Sequence, residues 1–291
     1  MGTGLSEIVP KVAGALDFLL NLIGLLLWFN WRAGGMKLEV PGVVSLAATL
    51  QKTETAEPRR WFSFACLVAL LIVRAMLYCQ IGSQVNWIAS LDLTTMVLPF
   101  RSDLLGRMFL FSALSFGVAL SVVYAALFLL SVINTRSKTA DHFTRLLILQ
   151  LGWFGKWPWP LRLIFGPVMA ALIWMALAPT FEKLGIFPPP RNQAHAWEIA
   201  GLLALCMVVS WKYVVSLFLG LHLLNSYVYL GNSSFWNFVA LTGHRLSLPL
   251  RWIPLRMGKV DFAPALVLVA TIWGSHVLSV WLPKIYRQLP L

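Results

Sequence analysis

Three ionisable residues, Asp17, Arg74 and Lys212, stand inside stretches of sequence that are otherwise almost entirely apolar. A charge inside a bilayer is costly, and such residues usually pair with one another or line a polar path. Asp17 and Arg74 fall at similar depths of the first two apolar stretches, so we predict an ion pair that joins two adjacent helices. Asn21 is one helical turn from Asp17 and is placed to join this pair through a hydrogen bond.

Lys212 lies near the middle of the fifth apolar stretch, and the sequence places no acidic residue at a matching depth. Its ammonium group has four options: snorkelling to the interface, a backbone carbonyl, a water-filled cavity, or an acid on another subunit. The flanking Trp211 and Tyr213 favour snorkelling. A cavity would instead indicate a role in transport or anion binding.

Haem, metal and catalytic chemistry find little support among the 5 His and 11 Asp and Glu residues. Helical rise separates the depths of His222 and His276 by roughly 15–20 Å, which is too far for one bis-histidine haem. No set of His, Asp and Glu shares one helix face as zinc ligands would. Asp141 next to His142 is the only adjacent acid–base pair, and it falls in a predicted loop. We therefore predict a protein that is not an enzyme and that holds no metal and no other cofactor.

The composition places these residues in a membrane. The chain of 291 residues is 59% apolar and 12% charged, and its mean hydropathy is +0.76. A soluble domain carries about 25% charged residues, so soluble enzymes and nucleic-acid modules are excluded. The net charge of +12 then indicates contact with anionic lipid rather than with nucleic acid. Cys66, Cys79 and Cys206 lie within apolar runs and are expected to behave as small hydrophobic residues.

Six apolar stretches have the length of a membrane span, about 20 residues. They cover residues 12–29, 61–79, 108–133, 161–178, 197–224 and 263–282. We predict an all-α membrane protein of six transmembrane helices, arranged as three helical hairpins with interfacial segments on the cytoplasmic face. Residues 80–107, which contain Asp92, Arg101, Asp103 and Arg107, are predicted to be an outer loop. Lys and Arg favour the loops after spans one, three and five by about two to one, which places those loops in the cytoplasm and both termini outside.

The three predicted cytoplasmic loops share a pattern. Each follows a span that ends near an Asn, namely Asn30, Asn134 or Asn225, and each returns to the membrane through a Pro closely followed by an Arg. A semi-apolar segment precedes each return: "SLAATL", "HFTRLLILQL" and "FWNFVALTGHRL". Pro lets the chain bend back into the bilayer, and we predict that Arg59, Arg162 and Arg251 then contact lipid phosphate. The second and third units are alike, and the first is a degenerate copy by hypothesis.

The last unit resembles the YggT family of small membrane proteins. Residues 234–273 carry Pro249, Arg251, Gly258, Asp261 and Pro264 in the register of that family's motif, with Pro254 one residue early and Ala263 in place of the usual Ser. The preceding unit keeps only Pro160, Arg162 and Pro167. The resemblance implies tandem hairpins over 108–291, a weaker copy at 108–178 and a clearer one at 197–282, after an unmatched hairpin and outer loop at 1–107. It also implies a bacterial inner membrane or a plastid membrane.

The resemblance implies a non-enzymatic scaffold or assembly factor for a membrane complex, with anionic lipid headgroups and other membrane proteins as partners. Asp261, the only acid in its loop, is expected to cap the following helix or to pair with Arg251 or Arg256. Two alternatives stay open. The chain could be a transporter or channel element in which Lys212 lines the pathway, or an accessory subunit of a respiratory or photosynthetic complex.

Overall fold

The structure is a computed structural model, and it describes residues 3–33, 57–85, 87–135, 143, 147, 150–228, 231, 233–248, 256, 257 and 260–288. Within these residues the chain forms seven α-helices. They are α1 (Thr3–Ala33), α2 (Glu57–Val85), α3 (Leu105–Ile133), α4 (Trp159–Lys183), α5 (Gln193–Tyr227), α6 (Ser234–Leu246) and α7 (Ala263–Gln288). A short 3-10 helix, Gly152–Lys156, precedes α4.

Six of these helices, all except α6, are long and apolar enough to cross a membrane. Each of the six predicted spans falls within one of them, so the prediction of an all-α, multi-pass membrane protein is confirmed. The helices extend beyond the predicted spans at one end or both, since hydrogen bonding continues past the apolar core. Helical hydrogen bonding satisfies the backbone without help from lipid, which cannot supply donors or acceptors.

The segment 80–107 is more ordered than the predicted loop. Helix α2 runs on to Val85, and strands β1 (Ile88–Asp92) and β2 (Val97–Arg101) pair in a two-stranded sheet before α3 begins. Both strands alternate exposed and buried positions, as a half-buried hairpin does. The Asp92 carboxylate accepts the Thr94 backbone N–H at 2.7 Å, which supports the left-handed conformation of Thr94 in the turn. The sequence pattern did not predict this sheet, because each strand has only five residues and the four charged residues of the segment favoured a loop.

The chain divides into two compact units. Unit 1 comprises residues 1–91 and 99–120, and unit 2 comprises residues 92–98 and 121–291. In unit 1, α1 packs along α2, and the interior contains Ala75 and Tyr78 of α2 and Met108 of α3, all fully buried.

In unit 2, α5 is the central helix, with α4, α6 and α7 packed against it. Leu202 and Val209 of α5 meet Leu282 of α7 in one apolar cluster. A second cluster joins Leu130, Leu147 and Phe238, and Phe143 stacks on Phe238 with ring centroids 5.8 Å apart. The semi-apolar segments of the second and third repeat units therefore contact each other.

Helix α6 is the predicted semi-apolar segment of the third unit. The Ser233 hydroxyl accepts the Trp236 N–H at its start, as a Ser cap does. Its buried face consists of Phe238, Val239, Thr242 and Gly243. The corresponding segment of the first unit, "SLAATL", lies outside the described residues.

The start of α4 shows how Pro directs the chain back toward the membrane. Pro158 is extended, with φ −61° and ψ 149°, and Pro160 occupies the first turn of the helix. A first-turn Pro loses no helical hydrogen bond, because the N–H groups there have no partner within the helix. Pro thus marks the start of this span, as the sequence pattern predicts.

The close approach of α6 to α5 gives a first testable prediction. A Cβ atom at position 243 would collide with Cβ and Cγ of His222, which are near the backbone and cannot swing away. We expect Gly243→Ala to lower stability by about 1–3 kcal/mol, as over-packing does, in thermal unfolding of the detergent-solubilised protein. Gly220→Ala on α5, where an added Cβ meets nothing within 4 Å, is the control. Equal melting temperatures for the two variants would contradict the contact.

Candidate functional site

The ion pair that the sequence predicts between Asp17 and Arg74 is present in the structure and joins α1 to α2. It is the centre of a group of five residues, which we call the unit 1 polar cluster: Asp17, Asn21, Arg74, Tyr78 and Ser115. Asp17 and Asn21 are four residues apart on α1. Arg74 and Tyr78 have the same spacing on α2, and Ser115 is on α3. This spacing puts each pair on one helix face, so the two faces meet.

The Asp17 carboxylate accepts hydrogen bonds from all four of its neighbours in the cluster. Arg74 Nη2 and the Tyr78 hydroxyl donate to Oδ1, the latter at 3.1 Å. The Ser115 hydroxyl donates to Oδ2 at 2.8 Å and Asn21 Nδ2 donates at 3.3 Å. Both carboxylate oxygens are thus satisfied by the protein, so the negative charge is stabilised without water.

The Arg74 side chain is 1% exposed, so its charge is enclosed by protein. Besides the contact with Asp17, Nη1 donates to Asn21 Oδ1 at 2.7 Å. The guanidinium carbon lies 5.7 Å from the ring centroid of Tyr78 and 5.8 Å from that of Phe111. Aromatic faces attract a desolvated cation. The enclosed Arg74 charge is therefore balanced by Asp17, and the cluster joins α1, α2 and α3.

Tyr78 and Ser115 were missed by the sequence analysis. A hydroxyl in an apolar helix gives no pattern of its own, because it can bond to the preceding turn of the same helix. Ser112 and Ser115, one turn apart on α3, are both buried. Ser112 donates to the Leu71 carbonyl of α2 at 2.9 Å. The three-residue spacing of two serines was the one available signal.

A second group of polar contacts surrounds the C-terminal end of α3 in unit 2, and we call it the α3 cap: Ser131, Asn134, Thr135, Arg162, Thr242 and Arg245. The last carbonyls of a helix have no partner within the helix. Arg162 Nη1 donates to the Ser131 carbonyl at 3.3 Å and to its hydroxyl at 3.0 Å. Arg162 Nη2 donates to the Thr135 hydroxyl at 3.0 Å. Arg245 of α6 donates to the Ile133 carbonyl at 3.1 Å. Two guanidinium groups thus face the partial negative charge of one helix end.

Arg162, which the sequence pattern predicts to contact lipid phosphate, has protein partners in this structure, and the lipid contact stays a prediction. The residue is 6% exposed, and its terminal nitrogens are occupied by α3 groups. Arg162 is in the first turn of α4, so it points at the adjacent end of α3, whose carbonyls need donors. These protein acceptors give Arg162 a structural role at the end of α3.

Asn134 links α3 to α6. Its Nδ2 donates to the Leu130 carbonyl and to the Thr242 hydroxyl, both at 3.1 Å. The equivalent Asn of the first unit, Asn30, donates to the Ser63 hydroxyl of α2 at 2.8 Å. Asn30 and Asn134, each at the end of a span, thus both bond to a hydroxyl on another helix.

The other residues of the predicted lipid contacts and of the family motif lie near the starts of α2 and α7 or outside the described part of the chain. Arg59 is in the first turn of α2, but its side chain lies outside the described part, as do Arg251, Pro249, Pro254 and Gly258 in full. Asp261 is in strand β4 (Val260–Asp261), opposite Arg256 of β3 (Arg256–Met257) in the register, and it precedes α7 by two residues. Pro264 is buried in the first turn of α7.

Lys212 is half-buried on α5. Its ammonium nitrogen lies 5.0 Å from the ring centroid of Tyr213, a residue that is 65% exposed. No ion pair in the described part of the chain includes Lys212. The contact with an exposed Tyr agrees with the snorkelling interpretation.

Among the described residues, no three His, Cys, Asp or Glu side chains lie close enough together to hold a metal ion. His195, near the start of α5, has Nδ1 at 3.7 Å from Glu198 Oε2. This pair is at the end of a span and at ordinary i,i+3 spacing, so it supports the helix end rather than forming a site.

The unit 1 polar cluster predicts strongly unequal effects of single and double substitution. Arg74→Leu leaves the Asp17 charge, which is 25% exposed, without its charged partner. Because removing one member of a fully buried pair costs about 3–5 kcal/mol, we expect a loss at or below the lower end of that range. Asp17→Asn combined with Arg74→Leu should recover most of that loss, because both charges are then gone. The measurement is thermal unfolding in detergent. Arg101→Leu, which breaks an exposed pair with Asp103, should change stability by less than about 1 kcal/mol. A double variant as unstable as Arg74→Leu would contradict the pairing.

The α3 cap predicts that Arg162 stabilises the protein without lipid. Arg162→Leu should cost about 2–3 kcal/mol, since hydrogen bonds from a charged group are lost from buried acceptors. Unfolding is measured in neutral detergent, with and without added phosphatidylglycerol. We expect the same loss in both, and Arg191→Leu at an exposed turn should have little effect. A loss that appears only when anionic lipid is present would restore the headgroup contact.

No family model, curated protein or solved structure matches the chain. The resemblance of residues 234–273 to the YggT family therefore stays a prediction.

Proposed function

We propose that the chain is a non-enzymatic integral membrane scaffold that supports the assembly of a larger membrane complex. The observation that carries this proposal is how the intramembrane charges are used. Asp17 and Arg74 bind each other and three hydrogen-bonding neighbours on α1, α2 and α3. Charges in transport proteins face a substrate or ion path, whereas these fasten helices and leave neither member of the pair free for a substrate.

The helix surfaces support the same proposal. On α1, large apolar residues such as Phe18 and Leu26 are 68% and 63% exposed. On α4, Leu172 and Ile173 are 47% and 50% exposed. Helices with apolar outer faces suit contact with lipid and with other membrane helices, whose association depends on close van der Waals packing. The resemblance to the YggT family is consistent with this role but adds only an expectation.

The test is genetic complementation with an assembly readout. Deleting the gene should lower the amount of one assembled membrane complex on native electrophoresis while its separate subunits are still made. Wild type and Lys212→Leu should both restore the complex, since the Lys212 ammonium group has a cation–π contact with Tyr213 and no ion pair among the described residues. Arg74→Leu should fail to restore it in proportion to its loss of folded protein. Normal levels of every membrane complex in the deletion strain would contradict a scaffold.

A second candidate, a transporter or channel element, is favoured by Lys212 alone. Its charge is half-buried in a span and is unbalanced by any ion pair of the described chain. If Lys212 lines a path, purified protein in proteoliposomes should carry an anion flux that Lys212→Leu abolishes and Lys212→Arg retains. Flux that is absent, or equal in the two variants, would remove this candidate.

A further inference from the structure

Among the described residues, the buried positions of helix α7 lie mainly on one face. Pro264, Ser275 and Leu282 are buried, and Leu282 meets α5. In the apolar part of the helix, the opposite face exposes a row of residues at spacings of 3, 4, 3 and 4, which we call the α7 seam: Leu266, Val269, Trp273, His276 and Val280. This alternation is the pattern by which one helix presents a continuous stripe to a partner helix.

His276 sets this stripe apart from an ordinary lipid-facing surface. It lies at the middle of α7 and is exposed. Its backbone carbonyl accepts the Ser279 hydroxyl, but its imidazole has no hydrogen-bond or ion-pair partner among the described residues. Hydrocarbon offers an imidazole neither donor nor acceptor, so a partner in the membrane is expected.

The chemistry of imidazole identifies the partner. A neutral imidazole has one N–H donor and one nitrogen acceptor, so two of them can bond to each other. Two copies of one chain insert in the same orientation, and a two-fold axis along the membrane normal brings identical residues together at identical depth. A second copy therefore always presents His276 opposite His276, whereas an unrelated helix would need a polar group at that one depth.

We propose that the chain forms a parallel two-fold dimer through the α7 seam, in which the two His276 imidazoles are hydrogen-bonded to each other in the bilayer. The proposal depends on α7 and is independent of the proposed scaffold function. Purified protein in liposomes contains no partner complex, so the dimer can be present when the scaffold proposal fails and absent when it holds.

The first arm of the test is cysteine cross-linking in liposomes. Cys66, Cys79 and Cys206 are replaced by Ala, and one cysteine is returned to the seam at Val269 or Val280. Oxidation with copper phenanthroline should give a disulfide-linked dimer for both. Leu278→Cys is the matched control, because Leu278 is 50% exposed on α7 but points away from the seam. Cross-linking of all three positions to the same extent would overturn the proposal.

The second arm measures the monomer–dimer equilibrium by single-molecule photobleaching at graded protein-to-lipid ratios. His276→Leu should raise the dimer Kd about 3-fold to 30-fold, the range expected for one hydrogen bond between membrane helices. His276→Asn, which keeps a donor and an acceptor, should restore much of the affinity. Unchanged melting temperatures would show that each variant still folds. A Kd that His276→Leu leaves unaltered, or a protein that stays monomeric at every ratio, would overturn the proposal.

Discussion

The absence of hydrogen-bond partners in hydrocarbon is the constraint on which the rest of this structure depends. Every polar group within a span must find its partner in the protein. In unit 1 the Asp17 carboxylate meets this requirement with donors from three helices, and the packing of α1, α2 and α3 follows from it. Apolar packing alone has little preference for one rotation of a helix over another, since lipid tails are as apolar as Leu. Directional bonds to one carboxylate supply that preference.

The two units satisfy the same constraint with different electrostatics. In unit 1 the positive charge of Arg74 is neutralised by the negative charge of Asp17. In unit 2, Arg162 and Arg245 neutralise part of their charge against the carbonyls at the end of α3, where the helix dipole is negative. In both cases residues that could have faced a substrate or a lipid headgroup are used to hold helices together. This use of charge is why a scaffold fits the described contacts better than a transport path does.

The repeat acquires a physical meaning from these contacts. Asn30 and Asn134 each lie at the end of a span, and each donates to a hydroxyl on a different helix, Ser63 or Thr242. The Pro near the following Arg then starts the next helix without losing a hydrogen bond, as Pro158 and Pro160 do for α4. At the end of α3, the polar contacts of Asn134 and the Pro at the start of α4 thus occur together.

His276 differs from these residues, because its imidazole has no partner in the described part of the chain. This difference is the basis for the proposed dimer.

The sequence by itself determined where the spans lie and at what depth in the membrane each residue falls. Hydropathy located all six spans, and equal depth was enough to pair Asp17 with Arg74, because a span converts residue number directly into height in the membrane. Only the tertiary structure decided the properties that depend on which helices are neighbours and on how each is rotated. Tyr78 and Ser115 join the ion pair because α2 and α3 turn those faces inward, and Arg162 bonds to α3 because that helix ends beside it. The hairpin of residues 88–101 is also tertiary in origin, since its short strands owe their alternating burial to contacts that no local pattern specifies. The depth of a residue in the membrane follows from the sequence, whereas the rotation of each helix and the choice of its neighbours are fixed only when the helices pack.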